Sequence, residues 1–204
     1  MDIQEKKGSS LMLMVPGWFA EALTNLIEVT EAFGAEWMLL GAVPVSHYGW
    51  PRATNDLDLA VSIDVSASDS ADKWMTTLGY SKLMGPLEIS KKGIWLSKYQ
   101  KQIGENTVGI DIFFSVGEWQ SKAIKRRIIA KIDGNHWWIP SLEDLILYKL
   151  IACREKDFLD LEGILDKSLS KVDWNYLGPW ITTFDLEAKF REIMESYGGA
   201  GREG

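Results

Sequence analysis

The hydrophobic pattern changes near residue 139, where short segments of two kinds give way to helical spacing alone. Before that point, several stretches carry apolar residues in short runs or in alternation, which is typical of strands. These stretches lie at 36–40, 57–63, 94–96, 107–114 and 128–132. Stretches with apolar residues three and four positions apart predict helices. They lie at 16–34, 66–78 and 118–126, with a short helix or turn at 42–49.

After Pro140 the pattern is helical throughout. Ser141 is a good N-cap, with Asp144 three residues further on, and helical spacing then recurs from Leu142 to Met194. The sequence therefore predicts an α+β fold, in which a small mixed β-sheet core with packed helices is followed by a C-terminal helical bundle. The expected divisions are a flexible N-terminus, the core, the helical region and a disordered tail, at 1–15, 16–139, 140–196 and 197–204 respectively.

Composition narrows the class of protein. The chain has 204 residues with 22 Lys and Arg against 29 Asp and Glu, a formal charge of -7, which argues against a broad electrostatic surface for nucleic acid. The basic run from Lys122 to Arg127 is a solvated helix face or a local contact for RNA or an acidic partner. No stretch approaches the roughly 20 apolar residues of a membrane span. With Cys153 as its single cysteine, the protein is expected to be cytoplasmic and not bound to membrane.

Two aspartates lie at the start of the alternating run at 57–63, one just before it and one within it. Asp56 and Asp58 lie two residues apart, so on a strand they point to the same face. At roughly 6 Å and an effective dielectric near 20, two carboxylates repel by about 3 kcal/mol. A hard divalent cation such as Mg²⁺ relieves that repulsion, since it prefers carboxylate oxygens. The alternative is that both acids are solvated at the end of a loop.

Three neighbouring features point to the same chemistry. Asp111 lies in an otherwise apolar strand and needs a partner, which a metal shared with the earlier pair would supply unless it faces water on an edge strand. Gly41 and Ala42 follow a predicted buried strand, where small residues let backbone N–H groups approach a phosphate or simply make a tight turn. Arg52 precedes the acids and suits a phosphate, a carboxylate or the open surface.

These residues resemble the nucleotidyltransferases of the polymerase-beta superfamily, whose pattern is a strand, a small-residue turn, Asp-x-Asp and a third Asp on a later strand. More narrowly, the chain resembles the minimal, AbiEii-like bacterial branch associated with toxin–antitoxin systems. The matching residues are Gly41, Tyr48, Gly49, Arg52, Thr54, Asp56 and Asp58. A second motif of that branch is matched by Ser141 to Leu150 and by Arg154 to Leu161.

The resemblance implies transfer of an NMP from an NTP donor to a hydroxyl acceptor, with release of pyrophosphate. It implies catalytic and metal-binding roles, with two Mg²⁺ or Mn²⁺ ions, for Asp56, Asp58 and Asp111. It implies nucleotide-binding roles for Gly41, Ala42, Arg52, Thr54 and Lys149. By their helix position alone, Asp157 and Asp160 are expected to cap the helix and pair with Arg154 or Lys149.

Two departures from the family pattern leave alternatives open. Pro44 replaces an alanine, and Ala42 offers no hydroxyl to a phosphate, which weakens activity or leaves the donor to backbone amides. A nucleotide-binding or partner-binding module with little catalysis is therefore one alternative, and an aminoglycoside-type small-molecule transferase is another. The acceptor classes are RNA, protein and small molecules, and a cognate antitoxin or toxin is an expected partner.

Overall fold

A computed structural model describes residues 17–200 apart from 33, 90–92, 116 and 133–134. The strands are β1 Trp37–Leu39, β2 Asp56–Val61, β3 Ser81–Glu88, β4 Trp95–Ile103, β5 Asn106–Phe114, β6 Ile128–Ile132 and β7 Asn135–Ile139. The helices are α1 Gly17–Ala32, α2 Ala42–Tyr48, α3 Ser68–Thr77, α4 Glu118–Lys125, α5 Leu142–Ala152, α6 Glu155–Ser168, α7 Trp174–Thr183 and α8 Glu187–Ala200. The predicted α+β class is confirmed.

The main sheet has five strands in the order β1-β2-β5-β4-β3. Strands β2 and β5 run parallel at its centre, and the other neighbours are antiparallel. Strands β6 and β7 form a separate hairpin. The sheet is thus mixed, as expected, and its one parallel pair brings together the two stretches that carry the aspartates.

Helices cover both faces of this sheet. On one face, α1 and α3 pack on apolar side chains of β2 and β5, including Leu57 and Leu59, each 1% exposed. On the other face, Met38, Leu40 and Ala60 share a second core with α4 and the helices that follow Pro140. The C-terminal helices therefore complete the hydrophobic core of the sheet, and the site described below lies between β2, β5 and α5.

Two strands were not predicted from the pattern. Strand β3 contains Gly85 and Pro86 and forms an edge of the sheet, where a proline needs no ladder hydrogen bond. Its side chains are exposed or half-buried throughout, so it lacks the alternation that marks a half-buried strand. Strand β7 follows β6 closely, and β4 extends to Ile103, well beyond the predicted 94–96.

The C-terminal helix differs from expectation in its length. Helix α8 runs to Ala200, so it continues through residues 197–200 of the expected disordered tail. Tyr197 packs on the second core, which gives this last turn a tertiary contact. Residues 201–204 and the expected flexible N-terminus up to 15 lie outside the described residues. Within the part described, no helix is long and apolar enough to cross a membrane.

Candidate functional site

A row of charged side chains crosses the centre of the sheet. In the parallel pair, Asp58 of β2 lies directly opposite Asp111 of β5. Partners in register share one face of a sheet, and neighbouring strands are about 4.8 Å apart. Asp56 lies two residues before Asp58 on that face, opposite Gly109. The three predicted aspartates therefore lie on the same face of the sheet, the one turned towards α5, with Asp58 and Asp111 directly opposite each other.

Lys98 adds a cation to this row. It lies on β4 directly opposite Asp111, and its ammonium group forms an ion pair with the Asp111 carboxylate. Asp111 is 9% exposed, so the pair gives this buried carboxylate the partner that its position requires. The sequence predicts a metal ion as the partner of Asp111, whereas the structure shows Lys98 in that position.

The row forms one side of a cavity of about 320 Å³ between the sheet and the C-terminal helices. Its size lies within the range of small-molecule sites, roughly 300–1,000 Å³. One part of the lining is charged or small: Gly41, Asp58, Lys98, Asp111, Lys149, Arg154 and Asp157. The rest is mainly apolar: Leu40, Ile89, Leu96, Phe113, Leu145, Tyr148 and Ala152. Such a cavity suits a ligand with an anionic end and a less polar body.

Gly41 allows the Asp58 carboxylate its position. A side chain at residue 41 would overlap Oδ2 of Asp58, and the backbone there has φ 68° and ψ -134°, which favours glycine. Gly109 plays a similar part for Asp56, because a Cβ at residue 109 would lie 2.5 Å from its Oδ1. Both carboxylates thus lie against backbone that carries no side chain.

The electrostatic environment of Asp58 is unfavourable to its charge. Burial, and next the negative charge of Asp111, raise the pKa of Asp58 to about 6. The positive charges of Lys149, Lys156 and Arg154 act in the opposite direction and do not compensate. A raised pKa means that the ionised carboxylate lacks a sufficient cation, which is the condition that a bound divalent ion would correct.

The predicted nucleotide-binding cation Lys149 lies at the centre of a buried ion network. Its side chain is 5% exposed, and Nζ donates to Asp157 Oδ1 at 3.0 Å and to Asp160 Oδ2 at 2.6 Å. Arg52 donates to Asp160 at 2.8 Å, and Arg154 donates to Asp157 at 2.7 Å. The expected pairing is confirmed for both aspartates, whereas the expected capping is confirmed for Asp157 alone, which accepts from the backbone N–H of Arg154 at 3.1 Å. Lys149 still reaches the cavity wall, but two carboxylates share its charge.

The cavity brings together only part of the predicted set. Gly41, Asp58, Asp111 and Lys149 line it, whereas Ala42, Arg52, Thr54 and Asp56 are not among its lining residues. Thr54 makes a local turn instead, since its hydroxyl donates to the Asp56 carbonyl at 2.8 Å and accepts from the Asp56 N–H at 3.3 Å. Arg52 is held by Asp160. The geometry gives these two residues partners within the protein.

The donor set fits a divalent cation in chemistry but not as a complete cage. Asp58 and Asp111 offer carboxylate oxygens on adjacent strands, and the raised pKa of Asp58 shows an uncompensated charge beside Asp111. Across the described ranges, however, no group of three or more His, Cys, Asp or Glu side chains is arranged so that it could hold a metal ion. The described residues therefore offer Asp58 as a carboxylate ligand but no complete protein site for an ion, and Asp111 is already paired with Lys98.

The basic run has mostly internal partners. Arg126 contacts Glu143 at 3.0 Å and lies over the ring of Tyr176, and Arg127 contacts Glu36 at 2.7 Å. Lys122 contacts Glu118 of its own helix at 2.6 Å. These pairs account for much of the charge between 122 and 127, so a structural role for the run is favoured over an RNA contact.

Sequence reasoning missed Lys98 and gave Arg154 only a structural role. A signal for Lys98 was present, because Gly104 and Glu105 form the two-residue turn between β4 and β5. Counting back from the first pair, Ile103 with Asn106, places Lys98 opposite Asp111. Arg154 lines the cavity while it also pairs with Asp157, and its side chain is 54% exposed.

Comparison with known structures bears on the fold. The antibiotic-resistance factor ANT(2'')-Ia is 12% identical with a TM-score of 0.50, over 90% of this chain and 97% of that one. An antigenic nucleotidyltransferase-like protein from Paracoccidioides brasiliensis is 13% identical (TM-score 0.48; 74% and 76% covered). The lincosamide antibiotic adenylyltransferase LnuA with lincomycin is 14% identical (TM-score 0.44; 71% and 94%). No protein-family model and no curated protein matches. The chain thus shares its overall fold with the antibiotic-resistance factor ANT(2'')-Ia.

Proposed function

We propose that this protein is a metal-dependent nucleotidyltransferase, which moves an NMP from an NTP to a hydroxyl acceptor and releases pyrophosphate. The observation that carries the proposal is the register of β2 and β5, which sets Asp58 beside Asp111 at the wall of a cavity. That cavity also receives Lys149 and Arg154, two cations that can contact phosphate. A charged end and an apolar end together suit a nucleotide.

The roles follow from position. Asp58, with Asp56 on the same face of β2 and Asp111 opposite it, is the residue proposed to hold Mg²⁺ or Mn²⁺, which would polarise the phosphate and offset the charge of departing pyrophosphate. The acceptor oxygen forms a bond to the α-phosphorus while the bond to pyrophosphate breaks, and Asp111, which is paired with Lys98 through Oδ2, takes the hydroxyl proton on Oδ1. Arg154 and Lys149 orient the phosphates from α5 and the start of α6. Backbone amides near Gly41 and Ala42 add donors, while Arg52 and Thr54 support the strand that carries Asp56.

The test is transfer of label from α-labelled NTPs with Mg²⁺ to pools of RNA, protein and small hydroxyl compounds. Wild type is expected to label one acceptor pool, and Asp58→Asn is expected to lose at least a hundredfold in rate. Asp69→Asn, which changes an exposed acid at the start of α3, is the control and should keep full activity. Transfer that survives Asp58→Asn would rule out this site. The pool that is labelled identifies the acceptor class, including the aminoglycoside-type alternative.

A second candidate is a nucleotide-binding or partner-binding module with little catalysis. The ion pairs favour this candidate, because they engage residues that catalysis would need. Lys98 is paired with Asp111, and Lys149 is paired with both Asp157 and Asp160. Thermal stabilisation by an NTP with Mg²⁺, together with no transfer to any pool, would support the module. A ligand at about 100 times its Kd adds about 2.7 kcal/mol, which is a measurable shift.

The narrower AbiEii-like resemblance leads to a proposal about biology. We infer that the protein acts in a toxin–antitoxin pair, because two segments resemble the motifs of that branch and contact each other through Arg52 and Asp160. Induced expression of wild type is expected to slow growth, whereas Asp58→Asn should not. Normal growth with abundant folded wild type would argue against the toxin role and leave the transferase proposal intact.

A further inference from the structure

The ion pair between Lys98 and Asp111 changes how many cations the site can take. We propose that the Lys98 ammonium permanently replaces the second divalent ion, so that the protein binds one divalent ion, at Asp58. This inference rests on the proposed function and concerns the number of ions at that same site. It departs from the two-ion arrangement that the resemblance implies.

The geometry of the row supports this assignment. Asp58, Asp111 and Lys98 lie in register on three adjacent strands, so that Asp111 is between the other two. A second divalent ion shared by the two carboxylates would lie within a few ångströms of the ammonium group, and the two cations would repel. The ammonium already neutralises the carboxylate that such an ion would need as a ligand.

Lys98 is fixed in this place by the fold. The two-residue turn after Ile103 sets the register of β4 with β5, and β4 continues along the sheet on both sides of Lys98. The Lys98 side chain is 37% exposed and that of Asp111 is 12% exposed, so the pair lies at the cavity wall with little water around the carboxylate. The strand register thus places the ammonium group of Lys98 beside the Asp111 carboxylate.

The other cations of the cavity are hydrogen-bonded to different carboxylates. Lys149 donates to Asp157 and Asp160, and Arg154 is bonded to Asp157. Their acidic partners, Asp157 and Asp160, lie on α6 and not on β2 or β5. Among the ion pairs of the described residues, Lys98 thus provides the one contact between a cation and the β2–β5 acids.

The test is the stoichiometry of Mn²⁺, measured on the full chain by equilibrium dialysis and by EPR of free Mn²⁺. Wild type is expected to bind one Mn²⁺ per chain, and Asp58→Asn none. Lys98→Met is expected to bind two, whereas Lys98→Arg, which keeps the charge, should bind one. Lys82→Met is the matched control, because Lys82 forms a similarly exposed ion pair with Asp72 outside the cavity. The Lys82→Met protein should bind one Mn²⁺ per chain, like wild type.

The outcomes separate the two proposals. One ion in wild type, none in Asp58→Asn and still one in Lys98→Met would overturn the role of Lys98 and leave the metal site. Two ions in wild type would also overturn it. Equal binding by wild type and Asp58→Asn, or no binding by wild type, would overturn the site itself. Circular dichroism confirms folding, and Lys98→Gln, with the same expected two ions, replaces Lys98→Met if that variant does not fold.

Discussion

Removing the charge of Lys149 is expected to cost the protein much of its stability. Lys149→Met keeps the length of the side chain and leaves the Asp157 and Asp160 carboxylates buried, with exposures of 0% and 4%. Breaking a buried ion pair on one side costs about 3–5 kcal/mol. Here each carboxylate keeps one arginine, at 2.7 Å from Arg154 and 2.8 Å from Arg52. We therefore expect a loss near the lower end, about 3 kcal/mol.

Urea unfolding followed by tryptophan fluorescence measures this loss, and thermal unfolding checks it. For a chain of this size about 3 kcal/mol corresponds to a decrease of roughly 6–12 °C in Tm. Lys122→Met is the control, because it breaks an exposed pair within α4 worth only about 0.3–0.5 kcal/mol. A Lys149→Met protein within 1 °C of that control would refute the view that this network stabilises the fold, and would favour a role confined to the ligand.

Two further variants test the cavity wall and the network. Gly41→Ala should lose roughly 1–3 kcal/mol from backbone strain and displace the Asp58 carboxylate, so that Mn²⁺ binding weakens at least tenfold. Gly104→Ala, at a glycine that also has a positive φ (60°) but has open space around it, should keep normal Mn²⁺ binding. Burial raises the pKa of Asp157, but hydrogen bonds and charge from Arg154 and Lys149 outweigh it, so the pKa is below its usual 3.8. The ionised Asp157 carboxylate is then the form that stabilises the fold. The difference in free energy of unfolding between wild type and Asp157→Asn, measured in urea, should be constant from pH 7 to about pH 5 and decrease below pH 3.8. A pH-independent difference would contradict this.

The strands and helices with strong periodicity were predictable because burial on one face leaves a regular pattern. Alternation placed Asp56 and Asp58 on one face of β2, with Leu57 anchoring the other. Strand β3 was not predictable in this way, because it is an edge strand with little burial and an internal Gly85–Pro86 step. The parallel register of β2 and β5 could not be predicted from the sequence either, since no short turn joins the two strands.

Lys149 shows where periodicity misleads. In the sequence, Lys149 is a cation among the apolar residues of α5, a pattern that by itself favours a position at the margin of a buried helix face. The structure instead buries α5 on all sides, including Glu143 and Asp144, because the helix lies between the sheet, α6 and α7. A helix enclosed in this way has no exposed margin, so its polar residues must find partners inside the protein. The pairing of Lys149 follows from that enclosure.

The two segments that carry the family resemblance pack against each other in the fold. Gly49 lets the end of α2 approach α6, since a Cβ there would lie 2.8 Å from the backbone nitrogen of Ile164. Arg52 then binds Asp160 of the same helix, and Asp160 also accepts from Lys149 of α5. The segment before the aspartates is thus fastened to both helices of the second motif.

These ion pairs determine which residues of the two motifs remain available to a ligand. Arg52, Asp160 and most of the charge of Lys149 are engaged in holding α5 and α6 over the sheet. What stays open to a ligand is the strand row with Asp58 at one end, together with the exposed side of Arg154. Because Lys98 already compensates Asp111, Asp58 is the carboxylate in this row that still lacks a cation. Substitutions at Asp58 should therefore remove ligand chemistry with little effect on the fold, whereas substitutions at Asp160 should do the reverse.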